Sequence, residues 1–193
     1  MEINYLKILD IILNEIIPLT RINVEKGNKI FGGAIINKEN FSSFCIGLNN
    51  EIENPLFHAE ISTINNFFKY KNNINVKDCI FLSSHEPCSL CLSAITWAGF
   101  DNFYYFFPYH DTKNKFNIPH DLNILTQIFN IKDGNYNKIN NYWKSYSILD
   151  EINKLPLEMK RKFDIKIKNI YEFYKEISVK YQNTKKDNNI PLN

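Results

Sequence analysis

Four residues in two short stretches of the chain have the side chains and the spacing of a metal site. His58 and Glu60 lie two residues apart in PLFHAEISTINNF, and Cys88 and Cys91 lie three apart in SSHEPCSLCLSAITWAG. Histidine and cysteine are zinc ligands, and a catalytic zinc keeps one of its four positions for water. A carboxylate beside such a metal can hold a proton. The two stretches together therefore favour a zinc site that performs acid–base chemistry.

The surrounding elements are predicted to place both pairs at the starts of helices. Cysteines at i and i+3 lie on one side of the first turn of a helix over 88–98, and Pro87 is tolerated there because its missing N–H is not needed. The positive end of the helix dipole lowers thiol pKa values. His58 and Glu60 begin a helix predicted over 58–71. From this position, both side chains can point toward a metal ion that lies in front of the start of the helix. Because each helix follows a strand, the two starts can meet at one edge of the sheet.

Either pair alone permits other interpretations. A His-x-Glu pair arises often by chance, and Cys-x-x-Cys also occurs as a redox pair or as two core residues. A structural zinc site completed by Cys45 or Cys79 is a further alternative. We predict that these two cysteines are small apolar residues of strands instead, because each lies in an apolar run and neither has Cys-x-x-Cys spacing.

The remaining pattern predicts an α/β fold. Apolar residues at helical spacing predict helices over 3–14, 18–26, 122–129 and 156–181. Strand-like runs cover 30–36, 42–48, 78–83 and 103–107. Gly32 and Gly33 in the first strand indicate that another element approaches its backbone closely. This order predicts a three-layer α/β/α sandwich with helices on both faces of a mixed sheet of about five strands.

The composition is typical of one globular domain. The chain has 193 residues, 44% of them apolar and 23% charged, with a net charge of +2 and four cysteines. We expect a single domain over 1–182, with a motif core at about 16–107 and a helical extension at about 120–182, followed by a disordered tail at 183–193. The sequence contains no apolar run of about 18 residues, so no transmembrane helix is predicted, and no signal peptide is recognisable. The expected location is the cytoplasm, with no membrane partner, because four cysteines are too few for a disulfide scaffold.

The motifs HAE at 58–60 and PCSLC at 87–91 resemble those of the cytidine/deoxycytidylate deaminase-like superfamily. FGGAII and GLNN are similar to the first hairpin of that family and the asparagine after it, so the resemblance covers roughly residues 16–107. The stretch EPCSLCLSAITWAGFDNFYYF is most similar to the guanine- and nucleoside-deaminase branch. The resemblance implies a zinc-dependent hydrolytic deaminase that releases ammonia and forms a homodimer.

The resemblance also implies a role for each site residue. His58, Cys88 and Cys91 would bind one Zn²⁺ per chain, with water in the fourth position. Glu60 would take a proton from that water and deliver protons to a ring nitrogen and to the departing ammonia. Asn49 matches the asparagine that contacts the base edge, and the alternative for it is a turn residue in a loop.

The implied substrate is a free nucleobase or nucleoside of the guanine or cytosine type. The alternatives are a tRNA adenosine deaminase and a non-catalytic zinc-stabilised domain. A tRNA enzyme must neutralise several phosphates, whereas the net charge here is only +2. HDTKNKFNIPHD after the last core strand also departs from the Asp-x-Lys-Thr-Gly-like segment typical of tRNA adenosine deaminases. A small ring is therefore favoured, although the basic stretch 154–186 could contact RNA.

Other polar residues near the motifs receive simpler interpretations. Glu86 is predicted to brace the helix start, and His85 to lie either in solvent or behind the site. His110, Asp111 and His120 follow the last core strand, where this superfamily closes its pocket. We predict surface or capping roles for these three.

Overall fold

Five strands form one mixed sheet in the computed structural model, which describes residues 3–69 and 73–193. The strands are β1 (Gly32–Asn37), β2 (Ser43–Leu48), β3 (Cys79–His85), β4 (Asn102–Phe107) and β5 (Lys144–Ser147). Their order across the sheet is β2-β1-β3-β4-β5. Strand β1 is antiparallel to β2 and to β3, whereas β3, β4 and β5 run parallel. The predicted mixed sheet is confirmed.

Helices cover both faces of this sheet, as predicted. In chain order they are α1 (Tyr5–Ile11), α2 (Ile17–Glu25), α3 (Ala59–Lys69), α4 (Ser89–Trp97), α5 (Tyr109–Asn114), α6 (His120–Phe129), α7 (Ile148–Asn153), α8 (Leu157–Lys160) and α9 (Asp164–Thr184). The helix predicted over 58–71 runs into residues 70–72, which lie outside the described residues. Within the described residues, no helix combines the length and the apolar character needed to span a membrane.

The strands bury side chains on both of their faces because successive side chains of a strand point in opposite directions. In β3, Ile80 and Leu82 belong to a core formed with α1, α2 and α9. Phe81, between them, belongs to a second core formed with α3, α4 and α6. All three side chains are fully buried. The two cores on opposite faces of the sheet produce the three-layer sandwich.

One continuous helical segment replaces the two helices predicted over 3–14 and 18–26. Pro18 has no N–H to donate, and its ring would crowd the carbonyl four residues back in a regular α-helix. A π-helical turn over Ile12–Ile16 joins α1 to α2, and within it the Ile17 N–H donates to the carbonyl five residues back. This wider turn lets the helix continue through the proline.

The chain after Pro108 is more regular than predicted. The loop expected before residue 122 contains α5, and the turn-rich stretch 133–145 leads into the edge strand β5. The sequence of β5, KSYS, lacks an apolar run, so its strand conformation depends on pairing with β4. The helix predicted over 156–181 is divided into α8 and α9. Helix α9 packs on its own domain through Ile170, Tyr174, Ile177 and Tyr181.

The tail over residues 183–193, expected to be disordered, instead packs against the domain. Ile190 is 6% exposed. Asn188 Nδ2 donates to Gly27 O at 2.9 Å. Burial of an apolar side chain and hydrogen bonding to the loop before β1 offset the polar composition on which the expectation of disorder rested.

Helix α3 lies unusually close to the hairpin of β1 and β2. A Cβ atom on Gly47 would lie 2.2 Å from Thr63 N, and one on Gly33 would lie 2.8 Å from Thr63 Oγ1. On the other face of the sheet, a Cβ atom on Gly32 would lie 2.5 Å from Ile16 Cγ2. The close approach predicted from Gly32 and Gly33 is confirmed. Because glycines permit this contact, they fix how closely the first turns of α3 pack against the sheet.

Candidate zinc centre and its cavity

The starts of α3 and α4 bring His58, Cys88 and Cys91 together, as the sequence predicts. His58 directly precedes α3, and its carbonyl accepts the Ser62 N–H at 2.9 Å. Cys88 is the N-cap residue of α4 with an extended backbone, and Cys91 lies in the first helical turn. Since α4 follows β3, these side chains lie beyond the carboxyl end of that strand.

The three ligand atoms have the separations that a tetrahedral zinc ion requires. His58 Nδ1 lies 3.3 Å from Cys88 Sγ and 3.6 Å from Cys91 Sγ, and the two sulfurs are 3.6 Å apart. Tetrahedral bonds of about 2.3 Å to sulfur and about 2.0–2.1 Å to nitrogen give about 3.8 Å between sulfurs and about 3.6 Å between sulfur and nitrogen. The His/Cys/Cys group therefore fits one zinc ion.

The electrostatics of the group favour a thiolate at Cys88. Hydrogen bonds from Cys91 and His58 hold the pKa of Cys88 well below its ordinary value. Burial by itself would lower the pKa of His58, but the hydrogen bond and the charge of Cys88 offset it and raise that pKa to about 9. Burial raises the pKa of the Cys91 thiol. Zinc ligands must be deprotonated, so metal binding releases the protons that these groups hold.

Glu60 lies beside the ligand group in the first turn of α3. It is 6% exposed, and its Oε2 is 3.1 Å from Cys91 Sγ. Ser83 Oγ donates to Glu60 Oε1 at 2.8 Å and so fixes the orientation of the carboxyl group. Burial, followed by the charge of Cys88, raises the pKa of Glu60 above its ordinary value. A carboxyl group with a raised pKa can accept and release a proton near neutral pH.

A cavity of about 260 Å³ adjoins the ligand group and is lined by His58, Glu60 and Cys88. Its apolar wall includes Phe31, Leu56, Ile118, Ile124 and Leu192. Its charged and polar wall includes Lys29, Glu51, His120 and Asp121. An apolar wall with a few polar groups is typical of sites that bind small molecules.

Asn49 is not among the described residues that line this cavity. Its side chain is fully buried, its Oδ1 accepts the Lys29 N–H at 3.2 Å, and its Nδ2 donates to Glu51 Oε2 at 2.6 Å. The amide group is therefore occupied within the protein, and Lys29 and Glu51 reach the cavity in its place. The structure brings the three predicted ligands and Glu60 together, but it does not bring the predicted substrate contact Asn49 to them.

Glu86 braces the turn from β3 to α4, as predicted. It is 4% exposed, and its carboxylate accepts the Tyr109 N–H at 3.1 Å. The same carboxylate accepts from Tyr136 Oη at 2.9 Å and from Lys138 Nζ at 2.8 Å. These bonds connect the turn before Cys88 to two later parts of the chain.

His85 is buried at the wall of the cavity rather than in solvent. It is 2% exposed, and Ser84 Oγ lies 2.9 Å from its Nδ1. Its ring is packed among the rings of Phe31, Phe107, Phe116 and Tyr174. Burial lowers the pKa of His85 to about 3, so the imidazole is neutral at physiological pH.

The polar residues after β4 differ in position. His110 is exposed, as predicted, whereas Asp111 accepts from Tyr171 Oη at 2.8 Å and so connects α5 to α9 rather than capping a helix. His120 instead lines the cavity, together with Asp121, which the sequence analysis did not identify. Burial raises the pKa of Asp121 well above its ordinary value. A proline directly before two polar residues at a helix start was the available signal for both.

Cys45 and Cys79 take no part in the ligand group, which among the described residues consists of the histidine and the two motif cysteines. Cys79 is the first residue of β3 and is fully buried, and Cys45 lies in β2. Both are free thiols. The prediction that they are apolar residues of strands is confirmed, and neither completes a four-ligand structural site.

The part of the chain that holds the ligand group is similar to a known zinc-binding region. Residues 16–107 match the family described as the cytidine and deoxycytidylate deaminase zinc-binding region, and this part of the chain is such a region. It contains His58, Glu60, Cys88 and Cys91 and ends with β4.

Similar proteins include two deaminases. Guanine deaminase of Bacillus subtilis (strain 168) is 38% identical over 68 residues, which are 34% of this chain and 43% of that protein. The tRNA-specific adenosine deaminase of Rickettsia bellii (strain RML369-C) is 28% identical over 95 residues, 48% of this chain and 66% of that protein. The matches thus span less than two thirds of either relative.

Solved structures share the fold. Guanine deaminase from Nitrosomonas europaea superposes with a TM-score of 0.54 at 14% identity, covering 85% of this chain and 81% of that one. Guanine deaminase from Bacillus subtilis superposes with a TM-score of 0.51 at 24% identity, covering 66% of this chain and 83% of that one. The three-layer sandwich is therefore an architecture found in guanine deaminases.

Proposed function

We propose that the protein is a zinc-dependent deaminase that hydrolyses the amine of a free nucleobase or nucleoside of the guanine or cytosine type and releases ammonia. The observation that carries this proposal is the position of Glu60, whose Oε2 lies 3.1 Å from Cys91 Sγ. Glu60 lines the same cavity as His58 and Cys88. The partial likeness to guanine deaminase supports the same reaction.

His58, Cys88 and Cys91 would hold the zinc, which when bound supplies the Lewis acidity that makes water a nucleophile near neutral pH. Glu60 takes a proton from the attacking water and gives it to a ring nitrogen of the substrate. Glu60 then helps protonate the amine, which leaves as ammonia while the ring carbon gains an oxo group. Ser83 holds one oxygen of the Glu60 carboxyl group, which leaves the other directed toward the ligands.

The size of the cavity supports a compact ring. Its volume of about 260 Å³ lies below the range of roughly 300–1,000 Å³ typical for drug-sized ligands. Phe31 supplies an aromatic wall on which a planar ring can pack. The cavity therefore suits a single planar base.

A tRNA adenosine deaminase is the second candidate, favoured by the match to the Rickettsia bellii protein. The net charge of +2 argues against it, because binding an RNA strand requires the neutralisation of several phosphates. We expect ammonia release from at least one of guanine, cytosine, adenine or their nucleosides. Efficient inosine formation in a tRNA anticodon stem-loop, with no turnover of any small ring at physiological salt, would replace the first candidate by the second.

Substitution of Glu60 tests whether the protein is an enzyme or a zinc-stabilised domain without activity. Glu60→Gln keeps the shape of the side chain and should retain zinc, because Glu60 does not belong to the ligand group. It should lower kcat by roughly 10²–10⁴-fold, the usual contribution of a general acid–base residue. Glu39→Gln, at an exposed position in the hairpin turn, is the matched control and should keep full activity. Full turnover in zinc-loaded Glu60→Gln protein would refute the proposed mechanism.

We also propose a homodimer. Trp97 of α4 is 91% exposed and Ile128 of α6 is 71% exposed, and large apolar side chains at this level of exposure favour a partner surface. Light scattering coupled to size-exclusion chromatography would test this, and a mass equal to one chain at micromolar concentration would count against it.

A further inference from the structure

A buried ion pair forms part of the cavity wall. Lys29 Nζ lies 2.9 Å from Glu51 Oε1, and the two side chains are 6% and 4% exposed. Both residues line the cavity next to His58, whose Nε2 is 3.8 Å from Glu51 Oε1. A buried charge pair is costly to desolvate, so its position beside the ligand group calls for an explanation other than stability.

The backbone holds this pair firmly in place. In the hairpin, Gly32 is paired with Leu48, and just beyond the strands the Asn49 N–H donates to Phe31 O at 3.1 Å, so the segments that carry Lys29 and Glu51 run side by side. Asn49 reinforces the arrangement, since its amide accepts the Lys29 N–H and donates to Glu51 Oε2. Lys29 is therefore presented to the cavity with little conformational freedom.

The hydrogen-bonding capacity of Lys29 is only partly used. An ammonium group has three N–H donors and no acceptor. Among the described residues, Glu51 is the one hydrogen-bond acceptor recorded for Lys29 Nζ. The remaining donors lie at a largely buried wall, where unmade hydrogen bonds are costly. A ligand in the cavity must offer them an acceptor atom.

The charge balance indicates which acceptor fits. Glu51 neutralises the charge of Lys29, so the pair does not require an anionic partner such as a phosphate. The small cavity likewise favours a compact neutral ring. We propose that Lys29 is a specificity-determining residue that donates a hydrogen bond to an exocyclic oxo oxygen of the substrate ring. The site would then select amino rings that carry an oxo group over otherwise identical rings without one.

This inference rests on the proposed deaminase function and is tested with pairs of rings that differ in the oxo group. Guanine is compared with 2-aminopurine, and cytosine with 4-aminopyrimidine, by kcat/KM. In Lys29→Met the preference for the oxo-bearing ring should fall by roughly 10- to 100-fold, the effect of losing a hydrogen bond to a charged donor. Lys38→Met removes a lysine that pairs with Asp101 outside the cavity, and it should leave the ratio unchanged.

Removing Lys29 alone leaves Glu51 buried without its partner, so the double variant Lys29→Met/Glu51→Gln is needed as well. It removes both charges together and should show the same loss of preference. An unchanged ratio in a folded variant would overturn the proposal. The variants could instead keep the preference for the oxo-bearing ring and lose the discrimination between a nucleoside and its 5′-phosphate. That result would also overturn the proposal, because the acceptor for Lys29 would then be a phosphate.

A binding measurement separates this inference from the proposed function. Hypoxanthine and purine cannot release ammonia and differ in the 6-oxo group, so calorimetric titration of both against zinc-loaded protein does not depend on turnover. Preferential binding of hypoxanthine, lost in Lys29→Met, would support the role of Lys29 even if no ring were deaminated. Equal affinity of the wild-type protein for both rings would refute it even if deamination were observed.

Discussion

The buried imidazole of His85 should make the stability of the protein strongly pH-dependent. Its pKa is lowered to about 3 by burial among aromatic rings, compared with about 6.5 in an unfolded chain. Because the unfolded state binds the proton more tightly, the contribution of His85 to stability is complete above pH 6.5 and is lost as the pH falls toward 3. At pH 5 these two pKa values correspond to a loss of about 2 kcal/mol in the free energy of unfolding.

Urea unfolding of wild-type and His85→Leu proteins at pH 7 and pH 5 measures this effect. Leucine has a similar volume and no titrating group, and it suits the surrounding rings. Other groups that titrate, including the zinc ligands, are the same in both proteins and cancel in the comparison. The wild-type protein should lose about 2 kcal/mol more than the variant between pH 7 and pH 5. Equal losses in the two proteins would show that His85 is not held neutral by burial.

Two further predictions concern the metal and the packing of α3. Metal analysis of the wild-type protein is expected to find one zinc ion per chain. The Cys88→Ala variant should lose this zinc, whereas the Cys45→Ala variant should keep it. Equal zinc content in the two variants would contradict the ligand assignment. Gly47→Ala should lower the free energy of unfolding by about 1–3 kcal/mol in urea titration, because the added methyl group would meet the Thr63 backbone N at 2.2 Å. A change below about 0.5 kcal/mol would mean that α3 does not approach β2 this closely.

The ligand group could be predicted from the sequence because local signals decide its geometry. Pro87 marks the start of α4, and the i, i+3 spacing of Cys88 and Cys91 places both sulfurs on one side of its first turn. His58 needs only to precede a helix that follows the hairpin. Each of these features is encoded within a few residues, so knowledge of the tertiary structure was not required.

The polar wall of the cavity could not be predicted in the same way. Lys29 contacts Glu51 just beyond the ends of the hairpin strands, whose register shifts at a β-bulge between Ile35 and Ile36. Nothing in the sequence around NKEN reveals that shift, and without it the residues opposite each other differ by one. The amide of Asn49 holds these two chain segments together, and its predicted contact with a substrate stays a prediction.

The segment 118–124 lines the cavity through Ile118, Asp121 and Ile124, yet it lies outside the matched region 16–107, which holds all of the ligands and Glu60. In the proposed deaminase, the residues that would perform the reaction and part of the pocket wall thus lie in different stretches of the chain. Over evolutionary time, mutations in this segment can remodel the pocket while the metal site remains intact. A mutant library restricted to these seven positions would explore new substrates with little risk of losing the zinc.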